Sequence, residues 1–290
     1  MRPVKTVGII ANPQKEGIPR ASGMVSSWAE ARGLGLVVDE LAAAAAPEGV
    51  ETAARNVVAE RSDLVIAFGG DGTMLAAVRG VASAGKRTPV LGVNLGSLGF
   101  LTQVPGDELA GVLESLDPND LPVTERMMLE VSKDGGEHRL ALNDVVILKA
   151  ADARMLSFEA RSNGELVTRY AADGIILSTP TGSTAYSVSA GGPVVVPGVE
   201  AIIATPICPH TLSIRACVVP PDSEIEIEMI ECEKGTMVTV DGERAFHIEQ
   251  SDVVTIRRAG LSALLVDVGG HSYYEILRLK MRWAGRVRER

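Results

Sequence analysis

The most constraining stretch of this chain is Leu64-Val65-Ile66-Ala67-Phe68. It runs directly into Gly69-Gly70-Asp71-Gly72-Thr73 and then into Met74 to Arg79, which has helical composition. A short, unbroken apolar run suits a strand covered on both faces, as in a parallel sheet. Strand, glycine turn and helix in that order aim backbone N–H groups and a positive helix end at whatever lies beyond the strand. Glycine lets an anion approach the backbone with no Cβ in the way. The turn is not a P-loop, because no Gly-Lys-[Ser/Thr] follows, and it lacks the G-x-G-x-x-G spacing. Its one acid, Asp71, is costly beside a phosphate unless a cation intervenes or it has a proton to accept. Taken alone, the stretch could also be an ordinary βα loop shaped by its glycines.

The chain before this turn and just after it repeats the pattern. Val4–Ala11 reads as a strand ending at Asn12-Pro13, Arg20–Arg32 as a helix closed by Gly33, and Leu34–Val38 as a strand. Ala42–Ala46 reads as a loop or short helix and Val50–Arg61 as a helix. Pro89–Val93 is a further strand, and it leads into a second glycine-rich turn, Asn94-Leu95-Gly96-Ser97-Leu98-Gly99-Phe100. Alternating strands and helices mean βαβ units. Both turns then fall at the carboxyl edge of a parallel sheet, where open α/β folds bind ligands.

Near Pro122 the pattern changes to short alternating runs: Met127–Val131, Leu140–Leu148, Leu156–Ala160, Ile225–Met229 and Val253–Ile256. Asp134-Gly135-Gly136 and Asn163-Gly164 are hairpin signals. The expectation is an α/β domain over residues 1–122 and a mostly β, sandwich-like domain over 123–271. A basic helical tail over 272–290 (Arg278, Lys280, Arg282, Arg286, Arg288) packs back on the first domain. That tail is read as a solvated helix balancing an acidic body rather than as a phosphate site.

A chain of 290 residues, 46% hydrophobic and 22% charged, has the composition of a soluble globular protein with room for two domains. Its formal net charge of −9 argues against nucleic acid as the main partner. Cys208, Cys217 and Cys232 have neither zinc-site nor redox spacing. With no secretory h-region after Met1 and no membrane-length apolar stretch, a cytoplasmic protein away from membranes is expected.

Two further segments carry chemistry. Asp173-Gly174-Ile175-Ile176-Leu177-Ser178-Thr179-Pro180-Thr181-Gly182-Ser183-Thr184-Ala185-Tyr186-Ser187 is a strand entering a turn crowded with hydroxyls, suited to sugar and phosphate oxygens. Tyr186 offers a ring face to a base. A loop that bonds to itself is the plain alternative. Asn143-Asp144 interrupts a strand with two polar side chains that could grip the vicinal hydroxyls of a ribose; a bulge or exposed edge is the alternative.

Together the Gly69–Thr73 turn, Asn94 to Thr102, Asn143-Asp144 and Asp173 to Tyr186 resemble the NAD kinase family in order and spacing, over nearly the whole chain. The glycine-Asp turn is shared with diacylglycerol, sphingosine and 6-phosphofructokinases, whereas Thr179-Pro180-Thr181-Gly182-Ser183-Thr184-Ala185-Tyr186 is close to diagnostic. The resemblance implies an enzyme that phosphorylates the adenosine-ribose 2′-hydroxyl of NAD, giving NADP and ADP. ATP, or in some members polyphosphate, is the donor, with a divalent metal such as Mg²⁺, and members are cytoplasmic homodimers or homotetramers. It implies Asp71 as the base and Gly72 as a backbone contact to NAD, with Gly69, Gly70 and Thr73 as candidate phosphate contacts. Asn143 and Asp144 bind NAD, although the second position is more often Glu. Asp173 meets the nicotinamide carboxamide, and Thr184, Ala185, Tyr186, Ser187 and Ser189 hold the adenosine. Arg154 contacts NAD, and Asp241-Gly242-Glu243 resembles a segment that reaches a neighbouring subunit's site. Many members carry Arg where this chain has Ala171. Pro209-His210-Thr211-Leu212-Ser213 also matches, with His210 read as structural. The rival readings are a lipid or sugar kinase sharing only the glycine turn, and a non-catalytic pyridine-nucleotide sensor. An intact Asp71 counts against the sensor.

Overall fold

Apolar runs that no polar residue interrupts form the parallel strands. In the computed structural model, which describes residues 3–211 and 213–283, the chain divides into two units. One is built before Glu125 and after Leu264, the other from Arg126 to Ala263.

The first unit runs β1 Thr6–Ala11, α1 Ile18–Glu30, β2 Gly35–Asp39, β3 Glu51–Ala53, α2 Arg55–Arg61, β4 Leu64–Gly69, α3 Asp71–Ser83, β5 Val90–Asn94, β6 Val104–Pro105 and α4 Leu109–Ser115. The strands lie in the order β3-β2-β1-β4-β5, all parallel. Helix α1 packs on α4, and α2 packs on α3. The side chains of Val7, Ile9, Leu64, Ile66 and Leu91 join α1 and α4 in one core cluster. On the other face Gly8 sits so close to α2 that a Cβ there would lie 2.8 Å from Val58 Cγ1. The chain leaves β1 and β4, which are neighbours, toward opposite faces. Their carboxyl ends therefore bound the switch point at which such sheets take ligands.

The expected helix Val50–Arg61 is shorter than its apolar pattern suggests. Only Arg55–Arg61 is helical, and Glu51–Ala53 is an edge strand beside β2. The pair Glu51–Arg61, bonded at 2.5 and 2.9 Å, joins residues that one continuous helix would hold about 15 Å apart. Helix α3 starts three residues earlier than expected, because Gly70 is extended (φ −118°, ψ −167°) and Asp71 is already the first helical residue.

The chain then forms β7 Val123–Lys133, β8 His138–Ala141, β9 Asp144–Leu148, β10 Leu156–Ser162, β11 Glu165–Ala172, β12 Gly174–Ser178, α5 Tyr186–Ser189, β13 Ile202–Ile207, β14 Cys217–Val219, β15 Ile225–Glu231, β16 Met237–Val240, β17 Glu243–His247 and β18 Val253–Val266. One antiparallel sheet of the second unit has the order β14-β13-β12-β9-β16-β17. In the other, β11-β10-β15-β18 continues through β7 to β8. Between the two lies a core of alternating residues, among them Val145, Ile147, Ile175 and Leu177 facing Leu129, Phe158, Ile227 and Val254. Asp134-Gly135 and Asn163-Gly164 both take positive φ, at the β7–β8 and β10–β11 turns. The run Leu140–Leu148, expected as one strand, breaks at Leu142-Asn143, so that β8 and β9 belong to different sheets.

Finally α6, Tyr273–Met281, begins with a capping box from Ser272 and Glu275, buries Ile276 and Leu277, and leaves Arg278 and Lys280 exposed. Arg286 and Arg288 of the expected tail lie outside the described residues, as does Leu212. No helix among the described residues is long and apolar enough to cross a membrane.

Candidate active site

In the first unit the two glycine-rich turns are fastened together by one carboxylate. Asp71 Oδ2 accepts the N–H of Phe100 at 2.9 Å. Its Oδ1 accepts the N–H groups of Leu101 and Thr102 at 3.0 and 3.1 Å and the Thr102 hydroxyl at 3.2 Å. The α3 N-terminus adds its positive end to these donors. Gly99 is what allows this approach: a Cβ there would lie 2.0 Å from Asp71 Oδ1 and 2.4 Å from Thr102 Oγ1. A Cβ on Gly69 would strike Thr73 Oγ1 at 2.2 Å, so Thr73 folds back over the end of β4. Asn94 shapes the second turn, its Oδ1 accepting the Gly96 N–H at 2.7 Å and its amide donating to Ser97 O. Gly70 and Asp71 are half-buried and Gly72 is exposed.

The loop after β1 brings a residue the sequence did not single out. Asn12 N–H donates to Phe68 O at 3.0 Å and Lys15 N–H to Asn12 O at 3.0 Å. The Lys15 ammonium then lies 3.3 Å from where a Cβ on Gly96 would be. This exposed cation sits on the β1 side of the switch point. The Asn12-Pro13 turn signal marked a loop there, but nothing in the sequence showed which strand's end it would join.

A cavity of about 480 Å³ in the same unit is lined by Val4, Asp63, Arg87, Pro89, Leu121 and Leu264, at the amino ends of β1, β4 and β5. Its polar groups are engaged: Asp63 takes the N–H groups of Lys5 and Thr6, and Arg87 faces Glu125 at 2.7 Å. The chemistry-bearing turns are at the other end of these strands.

In the second unit Asn143 and Asp144 are held by Asp241. The Asp241 carboxylate accepts the N–H groups of Leu142, Asn143 and Asp144 at 3.0, 2.8 and 3.2 Å, and Asp241 N–H donates to Asp144 O at 2.9 Å. These bonds are why the strand expected over Leu140–Leu148 breaks here. Asp241 (φ 48°) and Gly242 (φ 81°) form the β16–β17 hairpin turn, a role the sequence reading did not give them. Asn143 Oδ1 is buried with no hydrogen-bond partner, an acceptor awaiting a donor. Asp144 is 5% exposed. Burial, and then the Asp241 carboxylate, push its carboxyl up to about 7, while the backbone N–H of Tyr186 pulls the other way.

The hydroxyl-rich segment partly bonds to itself. Ser183 Oγ donates to Pro180 O and accepts from Val195 N–H, Thr179 Oγ1 donates to Leu142 O, and Ser187 Oγ pairs with Thr205 Oγ1 at 2.9 Å. Ser187 is fully buried, and its carbonyl accepts the N–H groups of Ala190 and Gly192 at 3.1 and 2.9 Å. Thr184 and Ala185 are half-buried, and Tyr186 and Ser189 are exposed. Asp173 lies 3.4 Å from the Lys149 ammonium, a partner the sequence reading omitted. Arg154, Glu243 and His210 are exposed, and His210 N–H donates to Ala171 O.

The residues present do not make a cation cage. No three His, Cys, Asp or Glu side chains among the described residues converge on one point, and Asp71 already accepts four hydrogen bonds.

Comparison with known proteins agrees with this fold. The family model of the ATP-NAD kinase N-terminal domain matches residues 7–118, and that of the ATP-NAD kinase C-terminal domain matches residues 142–268. The chain is 39% identical to the NAD kinase of Acidobacterium capsulatum over 289 residues, covering 98% of this chain and 100% of that one. It is 44% identical to the NAD kinase of Geobacter sulfurreducens over 276 residues, covering 92% and 96%. Two solved structures share the fold. Yeast NADH kinase complexed with NADH has a TM-score of 0.89, 24% identity and coverage of 100% and 91%. An NAD kinase from Archaeoglobus fulgidus in complex with ATP has a TM-score of 0.75, 23% identity and coverage of 97% and 100%. The chain belongs to the NAD kinase family. Its reaction is the phosphorylation of NAD, and neither the lipid or sugar kinase reading nor the sensor reading finds support.

Proposed function

We propose that this chain transfers the γ-phosphoryl group of ATP to the 2′-hydroxyl of the adenosine ribose of NAD, with Asp71 as general base. The observation that carries this is the asymmetric bonding of the carboxylate: Oδ1 takes three donors and Oδ2 takes one. Oδ2 keeps a lone pair for the hydroxyl proton while four fixed donors hold the group in place. The exposed Gly72 and the half-buried Gly70 face phosphate oxygens, with Gly69 and Thr73 shaping the turn beneath them and Lys15 as a side-chain cation beside the second turn. A divalent ion arrives with the triphosphate rather than residing on the protein. Phosphoryl transfer needs positioning and charge neutralisation more than covalent help.

The NAD contacts are Asn143, whose orphaned Oδ1 accepts a ribose hydroxyl, and Asp144 beside it. Thr184, Ala185, Tyr186 and Ser189 hold the adenosine, with the buried Ser187 supporting them from beneath. Asp173, with Lys149, meets the nicotinamide carboxamide, and Arg154 and Glu243 complete the set. The protein works in the cytoplasm as a homo-oligomer. Purified protein given NAD, ATP and Mg²⁺ should form NADP, and 2′-deoxy-NAD should bind without being phosphorylated. A 3′-phosphorylated product would overturn the assignment.

A further inference from the structure

The geometry points to Ser178 as a positioning residue of the nucleotide site, its hydroxyl donating to a carboxylate oxygen of Asp144 when that carboxylate is ionised. This rests on the reading of Asn143 and Asp144 as substrate-binding residues.

Three observations meet here. The first is register. Ser178 on β12 is paired directly with Asp144 on β9, and Val145 is paired with Val240, so that the next residue, Asp241, falls beside Asp144. Asp241, Asp144 and Ser178 thus form one row across three strands. Directly opposed residues point to the same face, with Cβ atoms about 5 Å apart. That face is not the sandwich core. The next row on it holds Val146 and Ile176, which cluster with Ala190 just after α5.

The second is the hydroxyl itself. Ser178 is fully buried and its Oγ has no hydrogen-bond partner. Three other buried hydroxyls of this turn, on Thr179, Ser183 and Ser187, are engaged. A buried hydroxyl left unmatched costs stability, and an apolar residue of the same size would remove that cost.

The third is the shortage of donors at Asp144. Asp241 accepts three backbone N–H groups, whereas Asp144, beside a like charge, has only the influence of the Tyr186 N–H to favour its ionised form. Asp241, from the β16–β17 turn, is the titratable group that faces it; α5 contributes the Tyr186 N–H and β12 contributes Ser178. Rotation about one χ1 bond brings the Ser178 proton to the carboxylate. The ionised Asp144 then has a second donor and can accept a ribose hydroxyl.

The test is a ¹³C titration of the Asp144 carboxyl carbon, assigned with Asp144→Asn, alongside NAD affinity by calorimetry across the same pH range. Wild type, Ser178→Ala and Ser178→Thr are compared. The Asp144 midpoint should move up by about one pH unit in Ser178→Ala, since a donor to the charged form alone has been lost. The pH below which NAD affinity falls should move with it. Ser178→Thr, which keeps the hydroxyl, should titrate like wild type. A Ser178→Ala midpoint within about 0.3 unit of wild type overturns the inference, as does a shift equally large in Ser178→Thr. A wild type that binds no NAD at any pH would instead overturn the reading of the site, while the titration still decides the hydrogen bond.

Discussion

Replacing Asp144 by Asn should stabilise this protein, and by an amount that grows with pH. Asp144 is 5% exposed, beside the Asp241 carboxylate, and its carboxyl is pushed from an ordinary 3.8 to about 7. A carboxyl whose proton is held more tightly in the folded state favours folding below its unfolded value. That contribution is lost as pH rises through the folded value. A shift of this size corresponds to about 4 kcal/mol at pH 8, of which about 2.5 kcal/mol is lost between pH 5 and pH 8. Asn keeps an oxygen for the Tyr186 N–H and never carries the charge. Titrating groups that do not face Asp144 are common to both proteins and cancel in the difference, and relief of Asp241 from its like-charged neighbour acts in the same direction. Urea or thermal unfolding of the two, side by side from pH 5 to pH 8, should show the Asn variant gaining roughly 5–10 °C in Tm relative to wild type over that range. A difference that stays constant across those three pH units would refute the argument, because burial of a charge would then not be what the site costs.

Gly99→Ala places a methyl group 2.0 Å from Asp71 Oδ1, so it should lower kcat at least about tenfold while NAD and ATP still bind; wild-type turnover would show that the turn yields freely. Asp71→Asn should lower kcat by about 10²–10⁴ and disturb both KM values as well, since its NH₂ meets backbone N–H donors where the carboxylate accepted them; a variant keeping more than about a tenth of the rate would exclude the base role. Asn143→Ala should raise KM for NAD by roughly tenfold to a hundredfold and leave KM for ATP alone, as expected for one lost hydrogen bond to an otherwise orphaned acceptor. Lys15→Met should do the reverse, raising KM for ATP by about tenfold with KM for NAD unchanged; steady-state kinetics with each substrate varied separates the two.

The strands and turns nearest the chemistry were legible because their signals are local. An apolar run entering Gly69-Gly70 can hardly be anything but a buried strand and its exit, and Asp134-Gly135 and Asn163-Gly164 specify their own backbone. What escaped reading depends on contacts distant in sequence. Asp241 breaks a strand nearly a hundred residues away by taking its N–H groups, and nothing near Leu142 announces that. The helix pattern over Val50–Arg61 conceals β3, whose three residues are decided by their place beside β2. Lys15 is an ordinary loop lysine until β1 and β4 prove to be neighbours. The hydroxyls of Ser183 and Ser187 looked available because composition cannot say which partners the fold will supply. The roles of individual NAD contacts came from family resemblance, not from any local pattern.

The four bonds that Asp71 accepts give it a second occupation. Its carboxylate is the clasp between two turns some thirty residues apart, and it would be needed to close them even if no proton were ever transferred. Two separate demands therefore hold this position to an acid. A descendant of this fold that gave up catalysis and kept only nucleotide binding would have good reason to retain it. Presence of the acid is thus poor testimony to activity in any chain built this way, and the intact Asp71 is not what excludes a sensor. The same double duty means that a catalytically dead variant with its turns undisturbed is better sought by altering what Oδ2 faces than by removing the carboxylate.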